Sequence, residues 1–500
     1  MTNRPKEIRC DADNPRCTNN PFAWSKRTVD QLFTELNLSL AEVLSSLSFA
    51  LDLTSGQSTG HAQRTCLIGM RLGKEYGLSE TQMTSLYHAL LIKDSGCSSN
   101  AARMFQIFGS DDIDAKRAIR ITDWSNVDEA LKFAAAHTLP HGSLLARAQR
   151  MQAVTTNLAR FTGQLFETRC SRGANIARTL GLGEDAAQCI YCLDEHWNGQ
   201  GMPHGMRGEQ IPILARISGL AQTLEVFWRT FGLGPAFEVV RERSGRWFDP
   251  ELVRVAHAFR QDDEFWRGVQ DNTRQRLLRL NTGATSMSIT PDKIDDVCDA
   301  FAHIVDAKSH FTGEHSSRVK DCALEIARGM GVSAERMTLI RRAALLHDIG
   351  KLSVPNTILD KPGPLDPSEW LAVKRHPMLT QQILGQITGF ARLTEVAAAH
   401  HERLDGTGYV NGLRGGEIDQ DMRILAVADV YDALSSSRPY RAAMPTEQVF
   451  SILDAKAHRS LDADCIAVLK SRVNGGFLAP PAPIPLLEED DLLAPLPMAA

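Results

Sequence analysis

From about Leu38 onward, apolar residues recur at spacings of three and four with few alternating runs, and Gly and Pro fall mostly between those runs. That pattern predicts an all-α chain. Residues 1–35 are polar, with Pro, Asn and Cys but no period, and are expected to form an unstructured lead-in. The stretch 261–290 is polar and punctuated (QDDEFW, NTGATS) and reads as a connector. The segment 476–500 is rich in Pro, Leu and acidic residues without usable period, so a disordered tail is expected. Since 500 residues exceed what one core holds, two helical domains are expected, over 36–260 and 291–475.

The two domains are copies of each other. Thr59-Gly-His61-Ala-Gln-Arg64 pairs with Gly313-Glu-His315-Ser-Ser-Arg318, and Lys93-Asp94-Ser-Gly96 with His347-Asp348-Ile-Gly350, both at an offset of 254. Further on, Glu195 pairs with Glu402, Asn198-Gly-Gln-Gly201 with Asp405-Gly-Thr-Gly408, and Arg216-Ile with Arg423-Ile, all at an offset of 207. The change of offset places an insertion of 47 residues in the first copy, near 98–168.

Composition narrows the function classes. A net charge of −5 offers no basic face for a nucleic-acid polymer. No apolar run is long enough to span a membrane, and the N-terminus lacks an apolar leader segment. Ten scattered cysteines form no disulfide framework and suit a reducing cytoplasm. Cys189 and Cys192 with His196 lack the second pair that a zinc site needs, and read as small apolar helix residues.

The second copy concentrates metal-ligand chemistry on helices that are otherwise apolar. His347-Asp348 ends the helix ERMTLIRRAALLHDIGK, and burying such a pair is costly without a metal or a hydrogen-bond partner. His315 lies in FTGEHSSRV, His376 opens HPMLTQQIL, His400-His401 end LTEVAAAHH, and Asp429 sits inside RILAVADVYDAL. Mixed imidazole and carboxylate donors suit Fe or Mn, with Zn or Ni as alternatives. Two ions sharing these groups would make hydroxide available near neutral pH and clamp phosphoryl oxygens. Lys351 stands one helical step beyond Asp348, placed to put an ammonium on a phosphate or a leaving oxygen.

His347-Asp348-Ile-Gly-Lys351, His376-Pro377, His400-His401-Glu402, Asp405-Gly-Thr-Gly408-Tyr409 and Val427-Ala-Asp429 together resemble the HD-GYP family of metal phosphohydrolases, over residues 290–475. The resemblance implies an all-α fold, non-haem iron or manganese, and hydrolysis of cyclic di-GMP to pGpG or GMP. It makes His315, His347, Asp348, His376, His400, His401 and Asp429 metal ligands, with Asp348 bridging, and sets Lys351 against the scissile phosphate. It also makes Arg438 and Arg441 substrate-binding, a role that guanidinium forks suit. Three departures stand out. Val410 replaces the signature proline, Phe311 stands where trinuclear members bring a carboxylate, which points to two metals, and Thr380 replaces a usual glycine, which predicts a different helix contact.

The first copy keeps His61 and Asp94, but has Lys93 for His347, Arg169 for His376, Leu193-Asp194 for His400-His401, Gln222 for Asp429 and Cys97 for Lys351. Lys93 and Arg169 would put positive charge where ions sit, paired with Asp94 or Asp194. A metal-free copy that packs on or regulates the second is expected, and a homodimer is compatible with the chain. Three functional readings follow: cyclic di-GMP hydrolysis, hydrolysis of another phosphoester such as cyclic GMP-AMP or a nucleotide, and a cyclic-dinucleotide receptor or scaffold without turnover.

Overall fold

The computed structural model describes residues 39–124, 126–271, 273–280, 289–309, 313–438 and 441–478. The expected lead-in at 1–35, nearly all of the expected tail and Phe311 lie outside the described residues. Helices account for the regular structure and, among the described residues, strand pairing is limited to isolated bridges.

The helices repeat in order. Leu40–Thr54, His61–Tyr76 and Glu80–Ile92 in the first copy correspond to Pro291–Asp306, His315–Gly329 and Ala334–Leu346 in the second. Leu158–Thr179, Glu184–Tyr191 and Ile213–Phe231 correspond to the broken pair Pro367–Lys374 and His376–Leu384, then Ala391–Ala398 and Gln420–Ser435. Within His315–Gly329 the buried positions are 315, 316, 319, 322, 323, 326 and 327, one stripe at helical spacing. That stripe packs against Ala334–Leu346 on one side and Gln420–Ser435 on the other.

Leu40–Thr54 explains how the copies meet. Ser39 caps it by accepting from the Glu42 N–H at 3.1 Å. Nearly all its residues are buried, Ser45, Ser46 and Ser48 among most of the turns, so it has little polar face. A helix buried nearly all round must be sandwiched. It packs on its own copy's His61–Tyr76 and Glu80–Ile92, and also on Ile349–Ser353 and His376–Leu384 of the second copy. Its counterpart Pro291–Asp306 reciprocates, packing on Ser98–Asn100 and Leu158–Thr179 of the first copy. The two copies therefore meet as the halves of an isologous dimer do, and both lie within one compact unit.

The insertion is itself helical, with Ala101–Phe108, Asp112–Ile121, Val127–His137 and Leu144–Thr156. It is held by a cluster that includes Phe108, Ala115, Phe133, Val154 and Phe161. Within the stretch 261–290, read as a connector, Asp263–Asp271 and Thr273–Leu278 are helical. Trp266, Val269 and Leu277 are buried, and Trp266 packs edge-on against Trp228 and Phe237. Polar composition hid those three anchors.

One buried group of the first copy carries a stability prediction. His88 is 3% exposed, and its Nε2 has no hydrogen-bond partner. Burial lowers its pKa to about 4. The unfolded chain takes a proton near pH 6.5 and the folded chain does not, so this contribution is intact above that pH and is lost as pH falls toward 4. His88→Leu should flatten the pH dependence of urea stability across that window, by up to about 3 kcal/mol. Parallel curves for the two proteins would refute this.

Candidate metal centre

Helix ends and one helix interior bring the seven candidate ligands together. His315 opens its helix, and His347-Asp348 sits where Ala334–Leu346 tightens into the 3₁₀ turn Ile349–Ser353. His376 opens the helix whose next residue is Pro377, a position that needs no N–H. His400 and His401 follow Ala391–Ala398, and Asp429 faces them from within Gln420–Ser435. All are buried except His401, which is half-buried.

Gly350 makes the junction possible. A Cβ there would lie 2.0 Å from the His376 carbonyl oxygen, so only glycine lets the His-Asp turn approach that helix start. Thr380 secures the same contact, accepting from the Gly350 N–H at 3.2 Å and donating to the His347 carbonyl at 2.9 Å.

The imidazoles share one orientation. Nδ1 of His347, His376 and His400 lies 2.7 Å from the carbonyl three residues earlier, at Ala344, Val373 and Ala397. Each Nδ1 therefore carries the proton, and each Nε2 lone pair points inward. His315 is oriented instead by Asp432, whose Oδ2 is 2.6 Å from Nδ1 and which Arg318 also engages.

Around Asp348 these atoms converge. Oδ1 lies 3.3 Å from His376 Nε2 and 3.7 Å from His400 Nε2. Oδ2 lies 3.3 Å from His315 Nε2, 3.4 Å from His347 Nε2 and 2.5 Å from Lys351 Nζ. Asp429 Oδ1 is 3.6 Å from His315 Nε2 and 3.8 Å from His347 Nε2, and its Oδ2 is 3.9 Å from His401 Nδ1. Three sets, His376-His400-His401, His315-His347-Asp429 and His347-Asp348-His400, each have donor atoms within 4.8 Å of one another.

These residues fit cations. Nε2 of His315, Nε2 of His347 and Oδ1 of Asp348 are buried without a hydrogen-bond partner. The Nε2 atoms of His376 and His400 face each other at 3.1 Å, both presenting lone pairs. Protonation is a poor remedy, because burial lowers the pKa of His376 to about 3 and holds that of His400 well below its usual value. His315 behaves differently: burial pulls its pKa down, but the carboxylates of Asp348 and Asp432 outweigh it and raise it to about 9.

Lys351 is half-buried beside Asp348, and Tyr409 lays its ring against His401 with centroids 4.8 Å apart. The sequence-predicted arginines follow the end of Gln420–Ser435. Arg438 and Arg441 bridge each other through their backbones, and the Arg441 guanidinium donates to the Ala433 and Leu434 carbonyls, closing the C-terminal end of Gln420–Ser435.

The HD domain family matches residues 45–252 and 299–465. The chain belongs to the HD domain family. Among curated relatives, 3'3'-cGAMP-specific phosphodiesterase 3 of Vibrio cholerae is 42% identical over 87% of this chain and 95% of its own length. The cyclic di-GMP phosphodiesterase response regulator RpfG of Xanthomonas campestris is 35% identical over 41% of this chain and 56% of its own. The crystal structure of a cyclic GMP-AMP-specific phosphodiesterase of V. cholerae superposes with a TM-score of 0.61 at 38% identity, covering 87% of this chain and 97% of that one. HD-domain phosphohydrolases are metal-dependent, and the His/Asp sets of the second HD domain have the make-up to hold ions.

The first HD domain keeps this scaffold and replaces the centre. Glu225 stands at the position of Asp432 and engages His61 Nδ1, with Arg64 Nε 2.6 Å from its other oxygen. Gly96 lies against the Arg169 carbonyl oxygen as Gly350 does against that of His376. Glu195 accepts from the His204 and Met206 N–H groups, as Glu402 does from Asn411 and Leu413. The matching Met202–Pro203 and Tyr409–Val410 peptides are both cis. At the centre, however, the Lys93 ammonium contacts Asp94 and lies 2.9 Å from His61 Nε2. Arg169 pairs with Asp194, and Arg120, from the insertion, reaches Asp94 at 2.5 Å. Protein cations stand beside the retained His61 and Asp94. Cys189 and Cys192 are buried free thiols, which burial raises to about 12.

Sequence reasoning missed Asp432. It lies three residues after Asp429 on the same helix face, and Glu225 stands at its repeat position, so both signals were present. Asp432→Ala should weaken metal retention roughly 10–100-fold by freeing the His315 ring, read as the chelator concentration that strips the protein. An unchanged stripping curve would remove Asp432 from the centre.

Proposed function

We propose that the second HD domain hydrolyses a phosphodiester of 3'3'-cyclic GMP-AMP, at a centre of two divalent ions, Fe or Mn, held by His315, His347, Asp348, His376, His400, His401 and Asp429. The observation that carries the substrate is coverage: the cGAMP-specific relative aligns through both HD domains and over 95% of its own length. The cyclic di-GMP enzyme aligns over less than half of this chain. Cyclic di-GMP and cyclic GMP-AMP were both weighed as substrates, and this coverage favours the second. Overlap of the three donor sets at His347 and His400 supports more than one ion.

Bound divalent ions would supply Lewis acidity and a nucleophilic water near neutral pH. The chain's own residues prepare the site. Carbonyls and Asp432 hold the imidazoles with Nε2 inward, Lys351 offers its ammonium to a phosphoryl oxygen, and Tyr409 offers a ring face to a base. The first HD domain binds no metal and regulates the second through their shared interface. No helix among the described residues is long and apolar enough to cross a membrane. The eight described cysteines are free, which supports a cytoplasmic setting.

Hydrolysis of 3'3'-cyclic GMP-AMP, cyclic di-GMP and cyclic di-AMP by protein loaded with Mn or anaerobic Fe(II) tests this. Turnover of 3'3'-cyclic GMP-AMP should exceed that of the symmetric dinucleotides about tenfold or more, a margin that a few discriminating contacts supply. A preference for cyclic di-GMP would overturn the substrate, and tight binding without turnover would favour the receptor reading.

A further inference from the structure

The first HD domain keeps only His61 and Asp94 of the candidate ligand positions but contains a cavity of about 420 Å³, within the size range of small-molecule sites. Gln222 lines it, at the position that Asp429 holds in the second domain. Gln222 is 7% exposed, and its Oε1 has no hydrogen-bond partner. Arg169, 8% exposed, also lines the cavity, and its Nε is unpartnered although the guanidinium pairs with Asp194. The indole N–H of Trp247 on the same wall is unpartnered too, and Trp124 supplies a second large aromatic surface.

Buried polar groups are normally satisfied, so three unsatisfied ones around one cavity point to an occupant. A carboxamide presents a donor and an acceptor side by side, which pair with the matching edge of a purine. Indole faces stack on such a base, and guanidinium N–H groups suit a phosphate. We propose that this cavity is an effector site for a purine mononucleotide.

A route to the second domain begins at the cavity wall. Lys116 lines the cavity and pairs with Asp112 at 2.8 Å. Asp112 in turn lies 3.5 Å from Lys308 of the second domain and accepts from the Asn356 N–H at 2.9 Å. Asn356 donates to the Lys308 carbonyl at 2.7 Å, in the segment that leads to His315. Occupancy of the cavity is thus transmitted through Asp112; this coupling rests on the hydrolytic reading of the second domain, whereas binding does not.

Titration of the full chain with AMP and with GMP, followed by tryptophan fluorescence and calorimetry, tests the site. Saturable binding of one of them at one site per chain is expected, equal in wild type and Asp348→Asn. Gln222→Leu should weaken it at least tenfold while the thermal midpoint holds. The site is overturned by no binding at millimolar nucleotide, by binding that Asp348→Asn abolishes and Gln222→Leu spares, or by a preference for an intact cyclic dinucleotide. For coupling, the nucleotide should alter turnover of 3'3'-cyclic GMP-AMP in wild type, and Asp112→Asn should bind it without that response. Lys116→Met, which leaves Asp112 beside Lys308, serves as a second variant, and a full response in both would overturn the route. Absence of any hydrolysis would fail the enzymatic reading and leave the binding result standing.

Discussion

Asp348→Asn should lower phosphodiester turnover by about three orders of magnitude or more and take most of the bound metal with it. Among the described residues, Asp348 is the one carboxylate whose two oxygens face four imidazoles and Lys351 together. The change to an amide removes its negative charge and turns one of its two acceptor atoms into a donor, which cannot ligate an ion. Metal analysis of the purified variant, beside a turnover assay, reads both effects. The double variant with His347→Ala should be metal-free, because Lys93, Arg120 and Arg169 already fill the other centre. Full metal loading of that protein would show that the first domain binds ions after all. Retained activity in Asp348→Asn alone would remove the centre from the reaction.

Asp112→Leu should destabilise the protein by about 3–5 kcal/mol, because it leaves two ammonium groups buried without their shared carboxylate. Asp112 is fully buried and pairs with Lys116 of its own domain and Lys308 of the other. Burial already lowers the Lys308 pKa to about 8, with Asp112 acting against the shift, so losing Asp112 should push Lys308 further toward neutrality. Folded-state titration below the usual lysine range gives a definite sign: stability of the variant should recover as pH rises toward 10.5 and fall as pH drops through the folded pKa. Lys308→Met combined with Asp112→Leu should restore much of the loss, since an apolar replacement of a buried pair is often neutral. Thermal midpoints of the four proteins of this cycle measure the coupling, and additive losses would show that the two residues act independently.

The fold was legible because helical spacing of apolar residues is local, and because a duplication leaves constant offsets in numbering. The seven candidate ligands that the structure brings together were legible for a related reason: histidine and aspartate are expensive in apolar helices unless something pays for them. Asp432 was missed since an aspartate near a helix end has many ordinary explanations, and only its contact with His315 separates it from them. Arg438 and Arg441 were carried over from the family resemblance, and only the structure shows that the Arg441 guanidinium donates to carbonyls at a helix end. The helices within 261–290 were missed because three buried side chains, not average polarity, dock that stretch.

By itself the sequence determined an all-α tandem of two HD-type domains, the candidate ligand positions in one, and the replacement of most of them in the other. Each of these follows from residue identity and spacing along the chain. Only the tertiary structure decided that the copies interlock through reciprocal first helices and that the inserted Arg120 reaches Asp94. It alone placed Asp112 between the domains and left Gln222 unsatisfied on a cavity wall. Those features depend on which side chains meet across long separations in sequence, and local pattern carries no information about such meetings.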